Sequence, residues 1–207
     1  KTIVTTEMAR KVAETNGVEC FDTFTGFKFM AEKKNALEAA GEGKVIFSYE
    51  ESYGYMLGDY VRDKDAVTAS MLLTEMAAWY AAQGMTLFDA LNALYEKYGY
   101  YAEKTHNLVM PGLDGLRDMA ELMRKLKDEP PTEIAGTEVV VRKDYNDGTV
   151  HDCRTGAVTK MELSGSNVLR FELADGTTIL ARPSGTEPKI KVYILARGKD
   201  AADAAAN

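Results

Sequence analysis

The sequence contains few of the residues that mark several protein classes. Its 207 residues include only two cysteines, Cys20 and Cys153, with two histidines and one tryptophan. Two cysteines so far apart exclude a disulfide scaffold and are too few thiolates for a zinc site. No apolar run approaches the roughly 20 residues of a membrane helix, and the N-terminus has no signal-peptide pattern. We therefore predict a globular cytosolic protein without a membrane partner.

An excess of basic residues is also absent. The net charge is −7. Residues 1–110 carry 11 basic and 16 acidic side chains, a net charge of −5, and residues 111–207 carry 14 and 16, a net charge of −2. Neither half resembles a polyanion-binding surface, so nucleic acid is excluded as a partner. A local basic pocket for a small anion is compatible with this balance.

Strand-like and helix-like segments alternate over the first half of the chain. Thr6 and Asp65 are placed to cap helices, and Thr86 with Asp89 has the spacing of a capping box. The pattern predicts strands over 2–6, 18–21 and 44–49, and helices over 7–15, 29–40, 65–84 and 87–98. This alternation predicts a three-layer α/β/α domain with a mostly parallel sheet. Apolar residues at helical spacing between Val67 and Tyr80 are predicted to lie in its core.

The second half has a different pattern. A helix over 113–126 is followed by β-type segments over 138–142, 158–162, 168–173, 177–182 and 190–196. Asp175-Gly176 between two of these segments is typical of a hairpin turn. We predict a smaller α+β domain with an antiparallel sheet, and place the two domains at residues 1–108 and 109–207.

Arg182 to Lys189 form the loop with the most informative chemistry, between two β-branched runs. Arg182 offers a planar fork to an anion, and Ser184 and Thr186 offer hydroxyls. Gly185 can adopt a positive φ, so the neighbouring amides can converge on an anion. The loop is predicted to bind phosphate. The alternative is a simple hairpin turn with a solvated arginine.

Three further loops carry polar residues. Thr25-Gly26 combines a hydroxyl with a backbone that a ligand can approach, or forms an ordinary strand-to-helix turn. Glu50-Glu51-Ser52 follows a predicted buried strand, where ligands bind in parallel sheets, or forms a solvated acidic turn. Arg62 and Lys64 have the wrong sign for the N-terminus of a helix. They need internal pairing with Asp63 and Asp65, or a bound anion.

Metal and nucleophile motifs are not found. His106 and His151 have no carboxylate or cysteine at ligand spacing, and we predict surface or linker roles for both. No P-loop, nucleophile elbow or HExxH pattern occurs. The four polar loops together suggest one ligand with a sugar end and a phosphate end.

Four motifs in register carry a family resemblance. They are Thr-Gly-Phe-Lys (25–28), Glu-Glu-Ser-Tyr-Gly (50–54), Val-Arg-Asp-Lys-Asp-Ala-Val (61–67) and Arg-Pro-Ser-Gly-Thr-Glu-Pro-Lys (182–189). In this order they closely resemble the α-D-phosphohexomutase family, in particular its bacterial phosphoglucomutase/phosphomannomutase branch. The resemblance covers nearly the whole chain. It implies the third of four domains, without its start, and the fourth. Residues 3–6 and 201–206 look like interrupted elements, so we expect a piece of a longer protein.

The resemblance implies roles for individual residues. The sugar is contacted by positions matching Thr25, Gly26, Glu50, Ser52 and Lys64. The phosphate is held by positions matching Arg182, Ser184, Gly185 and Thr186, with Lys189 as an addition. The Glu-Glu-Ser motif favours glucose-type substrates within the branch. The implied reaction interconverts hexose 1-phosphate and hexose 6-phosphate.

The rest of the implied machinery has no match in these residues. The family uses a phosphoserine in its first domain, Mg²⁺ held in its second, and a bisphosphorylated sugar, glucose 1,6-bisphosphate, as intermediate and activator. The implied partners are the substrate and domains 1 and 2 of the same protein. We expect no catalytic residue in this chain and no mutase activity from it alone. The alternatives are a non-catalytic sugar-phosphate-binding module and a structural module in which the loops are relics.

Overall fold

The computed structural model describes residues 1–185 and 187–206 and divides into two compact units, Lys1–Tyr100 and Tyr101–Asn207. The first unit contains α1 (Glu7–Thr15), α2 (Phe27–Ala40), β1 (Phe47–Tyr49), β2 (Tyr55–Leu57), α3 (Ala66–Ala81) and α4 (Leu87–Tyr98). The elements from β3 onward are β3 (Tyr100–Val109), α5 (Gly115–Asp128), β4 (Glu133–Ile134), β5 (Thr137–Asp144), β6 (Thr149–Asp152), β7 (Val158–Lys160), β8 (Leu169–Leu173), β9 (Thr178–Pro183), β10 (Lys189–Gly198) and α6 (Ala201–Ala206). Of the helices described, none has the length and apolarity to cross a bilayer.

The helix caps predicted from the sequence are confirmed. Thr6 accepts the amide of Met8 at the start of α1. Thr86 and Asp89 form both hydrogen bonds of a capping box at the start of α4. Short polar side chains at these positions satisfy amides that have no partner inside the helix, which explains why the two helices begin where they do.

The mostly parallel sheet expected in the first unit is not confirmed. Among its described residues there are one parallel bridge, between Thr2 and Thr23, and one antiparallel pair, β1 with β2. Residues 18–21 form no strand, and the strand predicted over 44–49 is reduced to three residues. Residues of high β propensity are able to form a strand. They do so only where a neighbouring strand is present to form hydrogen bonds with them.

The expected burial of α3 was wrong. No residue of this helix is buried, and Val67 and Trp79 are 78% and 61% exposed. The helix has a single charged residue, Glu75, and is apolar on every side. Helical spacing identifies residues that share a face, but it does not identify what covers that face.

The second unit contains the antiparallel sheet that the sequence predicts. Its strands run in the order β3-β10-β9-β8-β5-β6-β7, with β4 beside β5. β9 pairs with β8 and β10 in antiparallel register, and β5 pairs with β8 and β6. Met123 of α5 packs in the core with Val139, Phe171 and Ile190, which lie on these strands. A contiguous apolar core therefore supports the β9–β10 hairpin.

A substitution at Leu180 tests the packing on the other face of this sheet. Leu180 is 0% exposed in the centre of β9, whereas Leu113 lies fully exposed before α5. Leu180→Ala leaves a cavity, so we expect the free energy of unfolding to fall by about 3 kcal/mol. The measurement is urea denaturation followed by circular dichroism. Leu113→Ala is the matched control and should leave the midpoint unchanged. Equal effects of the two substitutions would contradict the fold.

Candidate functional site

A hydrogen bond joins two of the predicted loops in the first unit. The amide of Gly26 donates to Oε1 of Glu50 over 2.6 Å. Gly26 has φ 118° and precedes α2, and only glycine adopts this conformation without strain. The Glu50 carboxylate is thereby held beside Thr25 at the start of the helix. Gly26 and Glu50 are 24 residues apart, and no sequence pattern predicts that they are in contact.

Phe27 brings a third loop to the same place. A Cβ on Gly54 would lie 2.7 Å from Cε2 of Phe27 and 3.4 Å from Cδ of Lys64. The Lys64 ammonium lies 5.7 Å from the centre of the Phe27 ring. Phe27 is itself buried with Met30 and Met56. The three loops that contain Thr25, Glu50 and Lys64 therefore meet around one buried aromatic ring.

Glu50-Glu51-Ser52-Tyr53-Gly54 is the loop of the antiparallel β1–β2 hairpin. The amide of Glu50 donates to the carbonyl of Gly54 over 3.0 Å and closes the loop. The loop follows β1 directly, as expected, but the parallel pairing expected for this strand is not confirmed, because β1 pairs with β2 in antiparallel register. Ser52 is exposed, and its hydroxyl lies 3.5 Å from Glu50 Oε2. The loop still presents a carboxylate beside a hydroxyl.

Arg62 and Lys64 differ in how they are held. Arg62 donates to the Asn35 side chain, the Asp59 carbonyl and the Glu38 carboxylate, over 2.7–3.2 Å. These partners fix Arg62 against α2, so no anion is needed to explain it. Lys64 pairs with Asp63 over 3.3 Å and is exposed. Lys64 is therefore the cation of this loop that a ligand can reach.

Asp65 caps α3, as predicted. Its carboxylate accepts the amides of Val67 and Thr68 over 3.1 Å each. The hydroxyls of Tyr60 and Thr68 also donate to it. These hydrogen bonds, with that of Tyr60 contributing most, lower the pKa of Asp65 from 3.8 to about 2. The cap fixes the end of the loop that carries Lys64.

The predicted phosphate loop is the connection of the β9–β10 hairpin in the second unit. The amide of Ser184 donates to the carbonyl of Lys189 over 2.8 Å. The Ser184 hydroxyl accepts the amide of Glu187 over 3.3 Å. Lys189 pairs with Glu187 over 2.5 Å, which occupies its ammonium. Thr186, also predicted to bind phosphate, lies outside the described residues.

Gly185 does not have the positive φ that the sequence analysis assigned to it. A Cβ at this position would meet no heavy atom within 4 Å. The hairpin therefore does not need glycine for its own conformation. The open space beside Gly185 is compatible with close approach of a ligand to the backbone.

Lys191 is a cation that the sequence analysis missed. In the register of β9 and β10 it lies directly opposite Arg182. Side chains of directly opposed residues share one face of a sheet, and like charges in that arrangement destabilise it. Two cations on one face of the hairpin are compatible with the binding of an anion. The hairpin register was the missing information, since Lys191 lies outside the Arg-Pro-Ser-Gly-Thr motif.

Neither histidine lies in one of the four predicted loops. His106 is exposed on β3. His151 lies opposite Arg142 across β5 and β6, with Nδ1 3.4 Å from the guanidinium. In the part of the chain that the structure describes, no group of three or more His, Cys, Asp or Glu side chains is arranged to hold a metal ion.

The two units match consecutive domains of one family. The sequence model described as "Phosphoglucomutase/phosphomannomutase, alpha/beta/alpha domain III" matches residues 1–98. The model described as "Phosphoglucomutase/phosphomannomutase, C-terminal domain" matches residues 107–207. The chain belongs to the phosphoglucomutase/phosphomannomutase family.

Curated relatives and a solved structure agree with this assignment. A phosphoglucomutase of Staphylococcus aureus is 36% identical over 94% of this chain and 35% of its own length. One from Staphylococcus saprophyticus is 34% identical over 93% of this chain and 35% of its own length. The open form of pp63/parafusin, a phosphoglucomutase from Paramecium, has a similar fold. Its TM-score is 0.60 at 21% identity, covering 96% of this chain and 32% of that one. The chain thus spans about a third of these relatives.

The contact between Gly54 and Phe27 can be tested directly. Gly54→Ala would place a methyl group 2.7 Å from a buried ring. Overpacking of this kind costs about 2 kcal/mol, more than the gain of below about 1 kcal/mol from a stiffer unfolded chain. We expect a lower free energy of unfolding, measured by urea denaturation. Ser52→Ala, in the same loop but exposed, is the control. If Gly54→Ala were as stable as that control, the close approach would be refuted.

The cap of α3 predicts a specific dependence on pH. The pKa of Asp65 is about 2 in the folded state and 3.8 without the cap. A lowered pKa stabilises the fold above pH 4, and this contribution is lost as the pH falls from about 4 to about 2. Asp65→Asn keeps a side-chain oxygen for the cap but does not titrate.

The measurement is the melting temperature of the original chain and of the Asp65→Asn variant between pH 6 and pH 2. The original chain should be the more stable one at pH 6, and the two curves should converge toward pH 2. Parallel curves over this range would show that the Asp65 carboxylate contributes no pH-dependent stability.

Proposed function

We propose that this chain is the substrate-binding part of a phosphoglucomutase/phosphomannomutase that interconverts hexose 1-phosphate and hexose 6-phosphate. The observation that carries the proposal is the hydrogen bond from Gly26 to Glu50. It joins the Glu50-Glu51-Ser52 loop, whose chemistry suits sugar hydroxyls, to the Thr25-Gly26 loop, which a ligand can approach and for which the family resemblance implies a sugar contact. The bond also stabilises the start of α2, so the support for a ligand role comes from the Ser52 hydroxyl beside the second carboxylate oxygen of Glu50.

The sugar is bound by Thr25, Gly26, Glu50, Ser52 and Lys64. Glu50 uses Oε1 to hold the Gly26 amide, while Oε2 and the Ser52 hydroxyl form a pair of oxygens 3.5 Å apart. Such a pair suits two neighbouring hydroxyls of a sugar ring. The exposed ammonium of Lys64 adds a donor beside them. The Glu-Glu-Ser motif favours a glucose-type ring.

The phosphate is bound by Arg182, Ser184, Gly185 and Thr186, with contributions from Lys189 and Lys191. The opposed positions of Arg182 and Lys191 support this assignment because two cations on one face of the hairpin attract a dianion. Arg182 gives directional hydrogen bonds, and Lys191 adds a point charge. Lys189 contributes less, since Glu187 already neutralises it.

Separate binding sites for the sugar and the phosphate fit the family's reaction. Phosphate passes from a phosphoserine to the sugar, glucose 1,6-bisphosphate reorients, and the other phosphate is taken back. A site that recognises each end independently can accept the sugar in both orientations. The described residues offer no acidic cluster for Mg²⁺. We assign the phosphoserine, the metal ligands and domains 1 and 2 to polypeptide outside this chain, since the chain spans about a third of its relatives, and we expect no mutase activity from the chain alone.

We extend the proposal to the domain organisation. Residues 1–108 form domain 3, a three-layer α/β/α domain whose sheet is mostly parallel in the whole protein. Residues 109–207 form domain 4. The cytoplasm is the proposed location, since a sugar phosphate is the substrate.

Titration of the chain with glucose 1-phosphate and with inorganic phosphate tests the assignment of the loops. Amide NMR shifts are expected at the 182–189 hairpin with both ligands, and at residues 25–28, 50–54 and 64 with the sugar phosphate alone. Arg182→Ala should weaken the binding of both ligands about tenfold or more, because a hydrogen bond to a charged group is lost. Glu50→Gln should weaken glucose 1-phosphate only.

Arg154→Ala is the matched control. Arg154 is an exposed arginine that pairs with Glu138 at a different hairpin of the same sheet. Its removal changes the net charge by the same amount as Arg182→Ala and should leave both affinities unchanged. If both arginine variants lost the same affinity, the effect would come from the net charge of the chain and not from the loop. Unchanged binding by Arg182→Ala would overturn the phosphate assignment.

A further inference from the structure

A pocket of 220 Å³ lies in the second unit, at the end of α5. Leu126 of α5 and Leu169 and Phe171 of β8 form its apolar floor. Arg142 of β5 and His151 of β6 line its polar side. Pockets for drug-sized ligands measure about 300–1,000 Å³, so this pocket suits a smaller molecule. The described residues that line it include none of those assigned above to the sugar or the phosphate.

A β-bulge turns Arg142 toward this pocket. Val139 lies opposite Leu173, and both belong to the core beneath α5. The register then shifts between Val139 and Val141, so that Arg142 lies opposite Phe171. Without this shift Val141 would lie on the core side, because alternate residues of a strand face opposite sides of the sheet. The bulge therefore places an arginine where the strand would otherwise present a valine, and bulges of this kind often re-aim a side chain beside a functional site.

The half-buried guanidinium of Arg142 has no anionic partner among the residues that the structure describes. It lies 3.4 Å from Nδ1 of His151. A guanidinium can only donate, so Nδ1 accepts this hydrogen bond and the neutral imidazole carries its proton on Nε2. A half-buried charge that is paired with a neutral ring alone is unfavourable. The site therefore has donors, from Arg142 and from Nε2 of His151, but no anion to accept from them.

The charges around the pocket leave one positive charge in excess. Lys127 lies 2.6 Å from Oδ2 of Asp144 and 3.4 Å from Oδ2 of Asp147. Lys160 donates to the carbonyl of Asp147 over 2.9 Å. Together with Arg142 these groups comprise three cations and two carboxylates. A ligand with a single negative charge would balance them.

The last charged group that lines the pocket does not alter this balance. Asp128 pairs with Arg124 over 2.9 Å, one turn earlier in α5. This carboxylate is exposed at the end of the helix, where it would repel a second negative charge on a ligand. A dianion such as phosphate is therefore disfavoured here relative to a monoanion.

We propose that this pocket binds a small monocarboxylate with an apolar body. Arg142 donates to both carboxylate oxygens, an arrangement for which the planar guanidinium is suited. His151 donates to the same group through Nε2. The apolar body lies on Leu126, Leu169 and Phe171, which explains why a charged side chain stands beside an apolar floor.

The pocket is separate from the proposed phosphate loop. Arg142 shares one face of the sheet with Phe171, which lies opposite Ile179 of β9. Arg182 is three residues after Ile179, an odd number, so its side chain lies on the other face with that of Lys191. The sheet thus carries two candidate anion sites on opposite faces, and the second site is independent of the proposed function.

Amide NMR titrations with three probes test the proposal. Benzoate has one carboxylate on an apolar ring, benzyl alcohol has the same ring without a charge, and inorganic phosphate has charge without an apolar body. We expect benzoate to shift the amides of residues 126–128, 142 and 151. Benzyl alcohol and phosphate should bind there at least tenfold more weakly.

Two substitutions of Arg142 separate its charge from its shape. Arg142→Met keeps an unbranched stem beside Phe171 and removes the charge, so the affinity for benzoate should fall at least tenfold. Arg142→Lys keeps the charge but removes the planar fork, and should weaken benzoate about threefold. Arg154→Ala, on the neighbouring hairpin, removes an exposed arginine that pairs with Glu138 and should leave the affinity unchanged. Circular dichroism and the amide spectrum of residues 178–182 verify that each variant is folded.

The outcomes that overturn the proposal are distinct. Absence of benzoate shifts at residues 126–128, 142 and 151 would show that the pocket is not a carboxylate site. Equal affinity of the original chain and folded Arg142→Met would remove Arg142 from recognition. Equal losses in Arg142→Met and Arg154→Ala would attribute the effect to net charge. If phosphate bound there as strongly as benzoate, the apolar floor would contribute nothing and the assigned ligand class would be wrong.

Discussion

The candidate site of the first unit depends on one hydrogen bond, from the Gly26 amide to the Glu50 carboxylate. It requires a glycine at φ 118° and a hairpin loop that places Glu50 beside the start of α2. Phe27 and Gly54 pack within the same arrangement, and Lys64 lies over the ring. The hydrogen bond joins two loops that are distant in sequence, and the packing around Phe27 adds the loop of Lys64 to them.

The second unit achieves a similar result through strand register. The β9–β10 ladder places Arg182 opposite Lys191. Two residues further along the same strands, the buried Leu180 lies opposite the buried Tyr193. The core of the sheet therefore fixes where the two cations stand. In the proposed function, this pair of cations is the anchor for the phosphate.

Much of the secondary structure could be predicted because local chemistry decides it. The caps at Thr6, Asp65 and Thr86 begin their helices where expected, and α1 and α4 have the predicted bounds. The antiparallel strands of the second unit follow from β-branched runs separated by turns. The mostly parallel sheet predicted for the first unit is not confirmed. Its pairing depends on neighbours distant in sequence, and one parallel bridge at Thr2 is what the described residues form.

The sequence by itself determined the family, the residue types of the four loops and the ends of most helices, because motifs and caps act over a few residues. The tertiary structure alone decided that Glu50 holds Gly26, that Arg62 is bound by Glu38 and Asn35, and that Lys191 faces Arg182. It also decided that α3 stays uncovered. Each of these outcomes depends on which distant segments come into contact, and helical or strand periodicity contains no information about that.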